Sequence, residues 1–418
     1  MQRAGTVAEA RAGRRERVAL MLGFGIGSLA WNVCWPFLPL RVQAVGVADL
    51  GEVARLTGLL ALPANLLSAA LGPWWSSLGE RFGFKLQIMR AHLGTGLAMT
   101  TLGLARTPLE LAGSATLLGA LGGNYPHYMA LAASRTHPSE VGRVVGDMQA
   151  AGQVGGTIGP LIGGLVAGSW GLTPAFLLAG LISASSALMI AAMVRREAPR
   201  QVEIESAPAR GSLRAAFARP EQRLLMLLFL IGESSAQGLR PLLPIVITAR
   251  ADDPASVAAT TGVAATLVTL GTVVAALVIG RISRRVPPRA ILIATLPVAA
   301  LLAASIPLVP GVWPPIAIWT VLGLASGTVA PSIFAWLGRL GPTGAGGYAL
   351  LASTSMCGYA LGPVLMGQVS VYGLDWPFRL TAALLVLTTV LVAASRMRPS
   401  PGLPGPTGPG QRERAADV

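Results

Sequence analysis

Charge is what this chain has least of: Asp, Glu, Lys and Arg make up 12% of its 418 residues, against 53% hydrophobic residues. With a mean hydropathy of +0.61, that scarcity excludes a soluble globular protein, because too little polar side chain is left to cover a water-facing surface. Cysteine is scarcer still. Cys34 and Cys357 are the whole complement, and each lies inside an apolar run. A disulfide scaffold is therefore excluded, and the two thiols read as small apolar fillers. Three histidines, His92, His127 and His137, have no zinc-type spacing and no cysteine near them, so no metal site or other cofactor is indicated. Nor do His, Asp, Glu and Ser cluster on the apolar runs at catalytic spacing, which argues against an enzyme or a membrane-embedded sensor built like one.

What is abundant is long hydrophobic sequence. Twelve stretches of roughly 18–25 apolar residues are each long enough to cross a hydrocarbon core about 30 Å thick as a helix. They lie near 18–40, 55–78, 85–104, 109–131, 144–168, 174–194, 221–248, 255–280, 289–308, 314–336, 345–372 and 376–396. The predicted fold is all-α, an integral membrane bundle of twelve helices. Arg11–Arg17 resembles the start of a signal peptide, but the run after it continues through Trp31, Asn32 and Pro36 without a small-residue cleavage site, so it reads as a retained first span.

The net charge of +14 has a positional explanation. Of the 32 basic residues, about 26 fall on one side of the predicted bundle and about five on the other, with Arg240 inside a span. The rich side holds both termini, the segment 195–220 and short loops at 81–90 and 281–289. Basic residues mark the cytoplasmic face, so both ends are expected inside a cell membrane crossed an even number of times. The charge orients the chain in the bilayer, and nucleic acid is not expected as a partner. The division follows: a basic N-terminal tail at 1–17, a six-helix half at 18–194, a cytoplasmic linker at 195–220, a second half at 221–396, and a Pro- and Gly-rich tail at 397–418 that cannot bury a core.

The halves repeat. Gly27-x-x-x-x-Asn32-x-x-x-Pro36-x-x-Pro39 returns as Gly232-x-x-x-x-Gln237-x-x-x-Pro241-x-x-Pro244, offset by 205. Glu80-Arg81-Phe82-Gly83-Phe84-Lys85 returns as Gly280-Arg281-Ile282-Ser283-Arg284-Arg285, offset by 200. Gly155-Gly156-Thr157-Ile158-Gly159-Pro160-Leu161-Ile162-Gly163-Gly164 returns as Gly358-Tyr359-Ala360-Leu361-Gly362-Pro363-Val364-Leu365-Met366-Gly367, offset by 203. Three matches in the same order with nearly the same offset imply a duplicated membrane unit, and parallel repeats in a membrane bundle point to a transporter with its site between the halves.

Two of these motifs carry a family resemblance. Ser76-Ser77-Leu78-Gly79-Glu80-Arg81-Phe82-Gly83-Phe84-Lys85 resembles the G-x-x-x-D-R-x-G-R-R/K signature between the second and third helices of the major facilitator superfamily. Gly155–Gly164 resembles the G-x-x-x-G-P-x-x-G-G signature of the fifth helix, which in that superfamily marks antiporters, drug:proton antiporters above all. The likeness extends over nearly the whole chain. It implies alternating access and proton-coupled export of small amphipathic, drug-like molecules, by a chain expected to work as a monomer. A sugar or metabolite exporter or facilitator without proton coupling is the rival, favoured by how few acids the spans hold. Departures from the pattern are Ser76 for Gly, Glu80 for Asp and Phe84 for Arg. The Arg common in the fourth helix of such antiporters is also missing, with Ala115 and Thr116 in that neighbourhood.

Physical chemistry assigns roles beside the resemblance. Glu80 and Arg81, next to the turn residue Gly83, can pair with charges or helix ends and hold a gate shut, with Lys85, Asp147 and the second-half Arg281 as further members; topological anchoring is the plainer alternative. Gly159-Pro160 and Gly362-Pro363 are expected to flex as hinges, since proline removes a backbone donor, or else to be packing bends. Glu233, Gln237 and Arg240 fall at spacings of four and three on one face of the seventh span. Ionisable groups inside spans are costly and mark function. Glu233 is the candidate proton carrier; Arg240, which keeps its charge, suits an anionic or zwitterionic cargo. The two are about 10 Å apart by helical rise, too far to pair directly, and a structural ion pair remains the alternative. Trp31, Asn32, Trp35, Asn124, Tyr125, Gln149 and Gln153 complete the candidate cargo-binding set, with Asn32 strengthened by its repeat mate Gln237.

Overall fold

The structure, a computed structural model, describes residues 2–195, 219–283, 285–339 and 344–395. The linker expected at 195–220 and the tail at 397–418 lie almost wholly outside the described residues. Among those residues the chain is helical throughout and forms no strand. In order, helix α1 (Gln2–Cys34) leads through a 3-10 turn (Trp35–Phe37) into α2 (Leu38–Ala44), followed by α3 (Leu50–Phe82), α4 (Phe84–Leu104), α5 (Pro108–Leu121), α6 (Tyr125–Arg135), α7 (Pro138–Trp170) and α8 (Leu172–Met193). The chain resumes with α9 (Pro220–Leu239), α10 (Leu242–Arg250), α11 (Val257–Ile282), α12 (Pro288–Ser305), α13 (Trp313–Ser326), α14 (Val329–Arg339), α15 (Gly344–Ser370) and α16 (Trp376–Ala394).

Nine helical stretches among the described residues are long and apolar enough to cross a membrane. The expected spans near 85–104, 109–131 and 221–248 are helical but are not among the nine. The reason is local. Helix α4 carries Lys85, Gln87, Arg90 and His92, the seventh stretch carries Gln222, Arg223, Glu233, Gln237 and Arg240, and the fourth is broken into helices of 14 and 11 residues. The basic loop expected at 81–90 shrinks to a turn at Gly83, whose φ of +98° lets the chain reverse without strain. Lys85 and Arg90 are therefore helical residues. Helix α1 likewise starts at Gln2, so the basic N-terminal stretch continues the first helix.

Four expected spans are interrupted, and the pattern follows the repeat. The first breaks at Trp35–Phe37, the fourth at Gly122–Asn124, the seventh at Arg240–Pro241 and the tenth at Gly327–Thr328. Matched prolines, Pro36 and Pro241, stand at two of these breaks, where each withholds a backbone donor. A broken helix frees carbonyls that need donors. In the fourth span Trp75 Nε1 donates to the Ala120 carbonyl at 2.9 Å and Arg90 to the Leu121 carbonyl at 3.0 Å, with the guanidinium 3.5 Å above the Trp75 ring.

Helix pairing repeats as well: α1 packs on α7 as α9 packs on α15, and α4 on α8 as α12 on α16. Cations fasten equivalent places in each half. Arg41 donates to the carbonyls of Leu102 and Ala105 at the end of α4, and Arg250 to those of Ile306 and Val309 just past α12. At the opposite end Lys85 donates to the Ala191 and Val194 carbonyls closing α8, and Arg289 to the Val392 and Ala393 carbonyls closing α16. Each is a cation on the carbonyl-rich terminus of a neighbouring helix.

Contact between the halves runs along α3 with α15 and α7 with α11, at the end poor in basic residues. Small residues allow backbones to touch there. A methyl group added at Gly58 would lie 2.2 Å from the Pro363 carbonyl oxygen, and one at Gly164 would lie 2.7 Å from Gly262 Cα. Phe37, Leu38, Leu242 and Leu243 are buried in one apolar cluster above this seam. Toward the basic end the same helices are less closely packed: a methyl group added at Gly72 of α3, Gly146 of α7 or Gly280 of α11 would point into open space, with no neighbouring helix within 4 Å of it. The bundle is closed at the end with few basic residues and open at the basic end.

Candidate transport cavity

Between the halves lies a cavity of about 600 Å³, within the range of about 300–1,000 Å³ that takes small organic molecules. The breaks in the first and seventh spans place its walls. Trp31, Asn32 and Trp35 enter from the first half just before and within the turn at Pro36; Glu233, Gln237 and Arg240 enter from the second half just before Pro241. Gln153 lines it from α7. Among the described residues, Glu233 and Arg240 are the only charged ones in this lining.

The repeat mates behave alike with one telling difference. Asn32 donates one turn back to the Ser28 carbonyl at 2.9 Å, whereas Gln237 donates one turn back to the Glu233 carboxylate at 3.2 Å. Ser28 and Glu233 occupy equivalent positions, so the second half holds a carboxylate where the first holds a hydroxyl, itself bonded to the Gly152 carbonyl at 2.7 Å. Among the described residues Glu233 and Arg240 form no ion pair, and the Arg240 side chain is exposed to the cavity. Across from them Trp31 and Trp35 stack with ring centroids 4.4 Å apart and planes at 24°, an apolar platform for a flat ring.

Other expected cargo residues are placed elsewhere. Asn124, Tyr125 and Gln149 are not in the lining. Gln149 donates to the Tyr125 hydroxyl at 3.3 Å, one turn nearer the basic end than Gln153, and both residues are exposed at the mouth. Asn124 turns instead toward His92, which is buried and lies 2.8 Å from the Tyr128 hydroxyl and 3.2 Å from that of Ser186. That group is a polar tie among spans of the first half. The expected gate residues divide too. Glu80, Arg81, Asp147 and Arg281 are exposed at the open end, and among the described residues no ion pair joins them; Arg81 rests 5.1 Å over the ring of Phe82. Lys85 instead caps α8. The expected hinge pairs lie within helices that pass through them unbroken: Gly159-Pro160 within α7, with Gly159 against Asn32, and Gly362-Pro363 within α15, with Gly362 against the Ser234 carbonyl.

Sequence reasoning missed Tyr359 and Trp319 in the lining. The Tyr359 hydroxyl faces Gln237, Glu233 and Arg240. Its repeat mate is Gly156, and the same comparison of unlike mates that singled out Glu233 against Ser28 points to it. Trp319 is packed edge-on against Phe378 and carries no such signal.

The sequence matches the family model of the Major Facilitator Superfamily over residues 20–321 and 235–416. The chain belongs to this superfamily. It is 27% identical to the Multidrug resistance protein MdtG of Enterobacter lignolyticus (strain SCF1), over 92% of this chain and 93% of that one. It is 28% identical to the protein of the same name from Salmonella paratyphi C (strain RKS4594), over 77% and 79%. Among solved structures, a bacterial homolog of the human lysosomal transporter Spinster, in an inward-facing and unoccupied conformation, superposes with a TM-score of 0.71 at 15% identity, covering 91% of this chain and 96% of that one. The fold is thus that of a multi-pass superfamily transporter.

Proposed function

We propose that this superfamily member exports small amphipathic, drug-like molecules from the cytoplasm by alternating access, in exchange for protons. One observation carries the reading: a single cavity, walled by both halves, closed at one end and open at the other, combining a tryptophan stack with a lone carboxylate and a lone cation. The name shared by its relatives, multidrug resistance protein, supports the same cargo class. With the basic end cytoplasmic, this conformation receives cargo from inside. The chain then crosses the membrane twelve times, the three polar or broken stretches completing the nine apolar ones, and works as a monomer.

In this cycle Glu233 binds a proton arriving from outside and yields it inside. Glu80, Arg81, Asp147 and Arg281 come together when the inner end closes. Everted vesicles test the coupling: cargo-driven proton movement should be present in wild type and lost in Glu233→Gln. Proton movement intact in the variant would remove Glu233 from the role, and release of a sugar with no drug resistance would favour a metabolite exporter.

A further inference from the structure

We infer that the preferred cargo is a flat aromatic zwitterion, its basic nitrogen taken by Glu233 and its acidic group by Arg240. The inference rests on the export reading and names its substrate class. The two charges stand seven positions apart, from within α9 to the residue that follows its end, about 10 Å at 1.5 Å per residue. Both line the same cavity without pairing with each other: among the described residues the Glu233 carboxylate accepts a single hydrogen bond, from Gln237, and Arg240 stands exposed to the cavity, so both charges remain open to a cargo. The repeat sets the opposite wall: Trp31 and Trp35 are equivalent to Ala236 and Arg240, and under parallel duplication equivalent positions lie at the same membrane depth. The ring stack is therefore level with Ala236–Arg240, with Trp35 at the depth of Arg240 and Glu233 about one turn beyond Trp31. A ring lying on Trp31 and Trp35 with a charged group at each end satisfies all three features.

The charge arrangement also decides what can be exchanged for a proton. Antiport needs cargo and proton to exclude one another. A purely anionic cargo fails this requirement, because protonating Glu233 removes a negative charge and helps an anion to bind. An ammonium on Glu233 meets it, since the same carboxylate cannot hold both. Groups facing Glu233 are Gln237 from α9, Arg240 from the turn that follows it and the Tyr359 hydroxyl from α15, and among the described residues the other walls bring no further charge. Arg240 then keeps a cation-only compound from using the site fully, because such a compound brings a second positive charge beside Arg240 and nothing to pair with it.

The experiment uses purified full-length protein and three fluorescent probes built on one flat ring. They are an aryl amino acid with amine and carboxylate about 10 Å apart, its methyl ester, which is only cationic, and its N-acetyl derivative, which is only anionic. Expected is binding of the zwitterion at least tenfold tighter than either derivative, weakening as pH falls. Glu233→Gln should abolish the preference over the N-acetyl compound and the pH dependence, and Arg240→Gln the preference over the ester. Retained binding of the N-acetyl compound by the first variant, and of the ester by the second, shows that each is folded. Ester binding equal to that of the zwitterion, with no effect of Arg240→Gln, would overturn the inference. Binding of none of the three while lipophilic drugs are still exported overturns it too and leaves the export reading standing. Binding of none with no drug exported removes both.

Discussion

Gly358 lies directly behind Glu233: a methyl group at Gly358 would stand 2.5 Å from Glu233 Cβ and 3.2 Å from the Ser234 nitrogen. The glycine of α15 thus fixes how far the carboxylate-bearing helix can approach, and with it where the carboxylate sits in the cavity. Overpacking a fitted interface costs about 1–3 kcal/mol. Gly358→Ala should therefore leave the protein folded and inserted but lower coupled transport severalfold, measured as cargo-driven proton movement in everted vesicles. An alanine at Gly72, where space is open, is the control and should change nothing.

The closed seam should be sensitive to bulk at one point. Gly58 meets the Pro363 carbonyl, a backbone atom that cannot rotate away. Gly58→Leu is expected to hold the halves apart at the end with few basic residues. In a background with both native cysteines replaced by Ala, a reporter cysteine at Asn65, a lining residue, should then react faster with an impermeant thiol reagent added outside intact cells.

Removing the duplicated clasps should destabilise without disabling. Arg41 and Arg250 each satisfy several helix-end carbonyls, and hydrogen bonds involving a charged group are worth about 1.5–3 kcal/mol. Arg41→Ala and Arg250→Ala should each lower the apparent Tm in detergent. The two losses should add, because the sites are in different halves and share no partner. Neither residue lines the cavity, so cargo affinity of the folded fraction should stay at the wild-type value.

The exposed charges at the open end belong, in the proposed cycle, to the other conformation. Arg81→Asp should leave cargo binding by the resting protein unchanged while cutting turnover roughly tenfold, as for about 1.4 kcal/mol lost from the closed gate. If Asp147 is its partner there, adding Asp147→Arg should restore part of the rate. Transport by the four forms of that double-mutant cycle gives the answer.

Much of the bundle was legible because hydropathy and duplication are properties of the sequence itself. The motifs at Gly27 and Gly232 pair Pro36 with Pro241, although hydropathy alone runs each span through its proline where the structure breaks it, and the spacing of Glu233, Gln237 and Arg240 places all three on one wall. The failures have physical causes. By charge alone Lys85 and Arg90 belong in a water-facing loop, yet each lies against neighbouring helices and is spent on their free carbonyls. Asn124 was read as a cargo contact because it is polar within a span, but His92, from the third span, meets it inside the first half. Arg41 and Arg250 stand out by no motif in the sequence. Their roles depend on where α4 and α12 end in space, which no local pattern encodes.

The glycine seam between the halves has a mechanical meaning. Where α3 meets α15 and α7 meets α11, the closest approaches are between backbones, and the clasps formed by Arg41, Arg250, Lys85 and Arg289 each stay within one half. Among the described residues, parting this seam separates no ion pair. A door sealed by shape alone opens without stranding an ion in the bilayer, so the energy released by cargo and proton is left free to set the direction of swing.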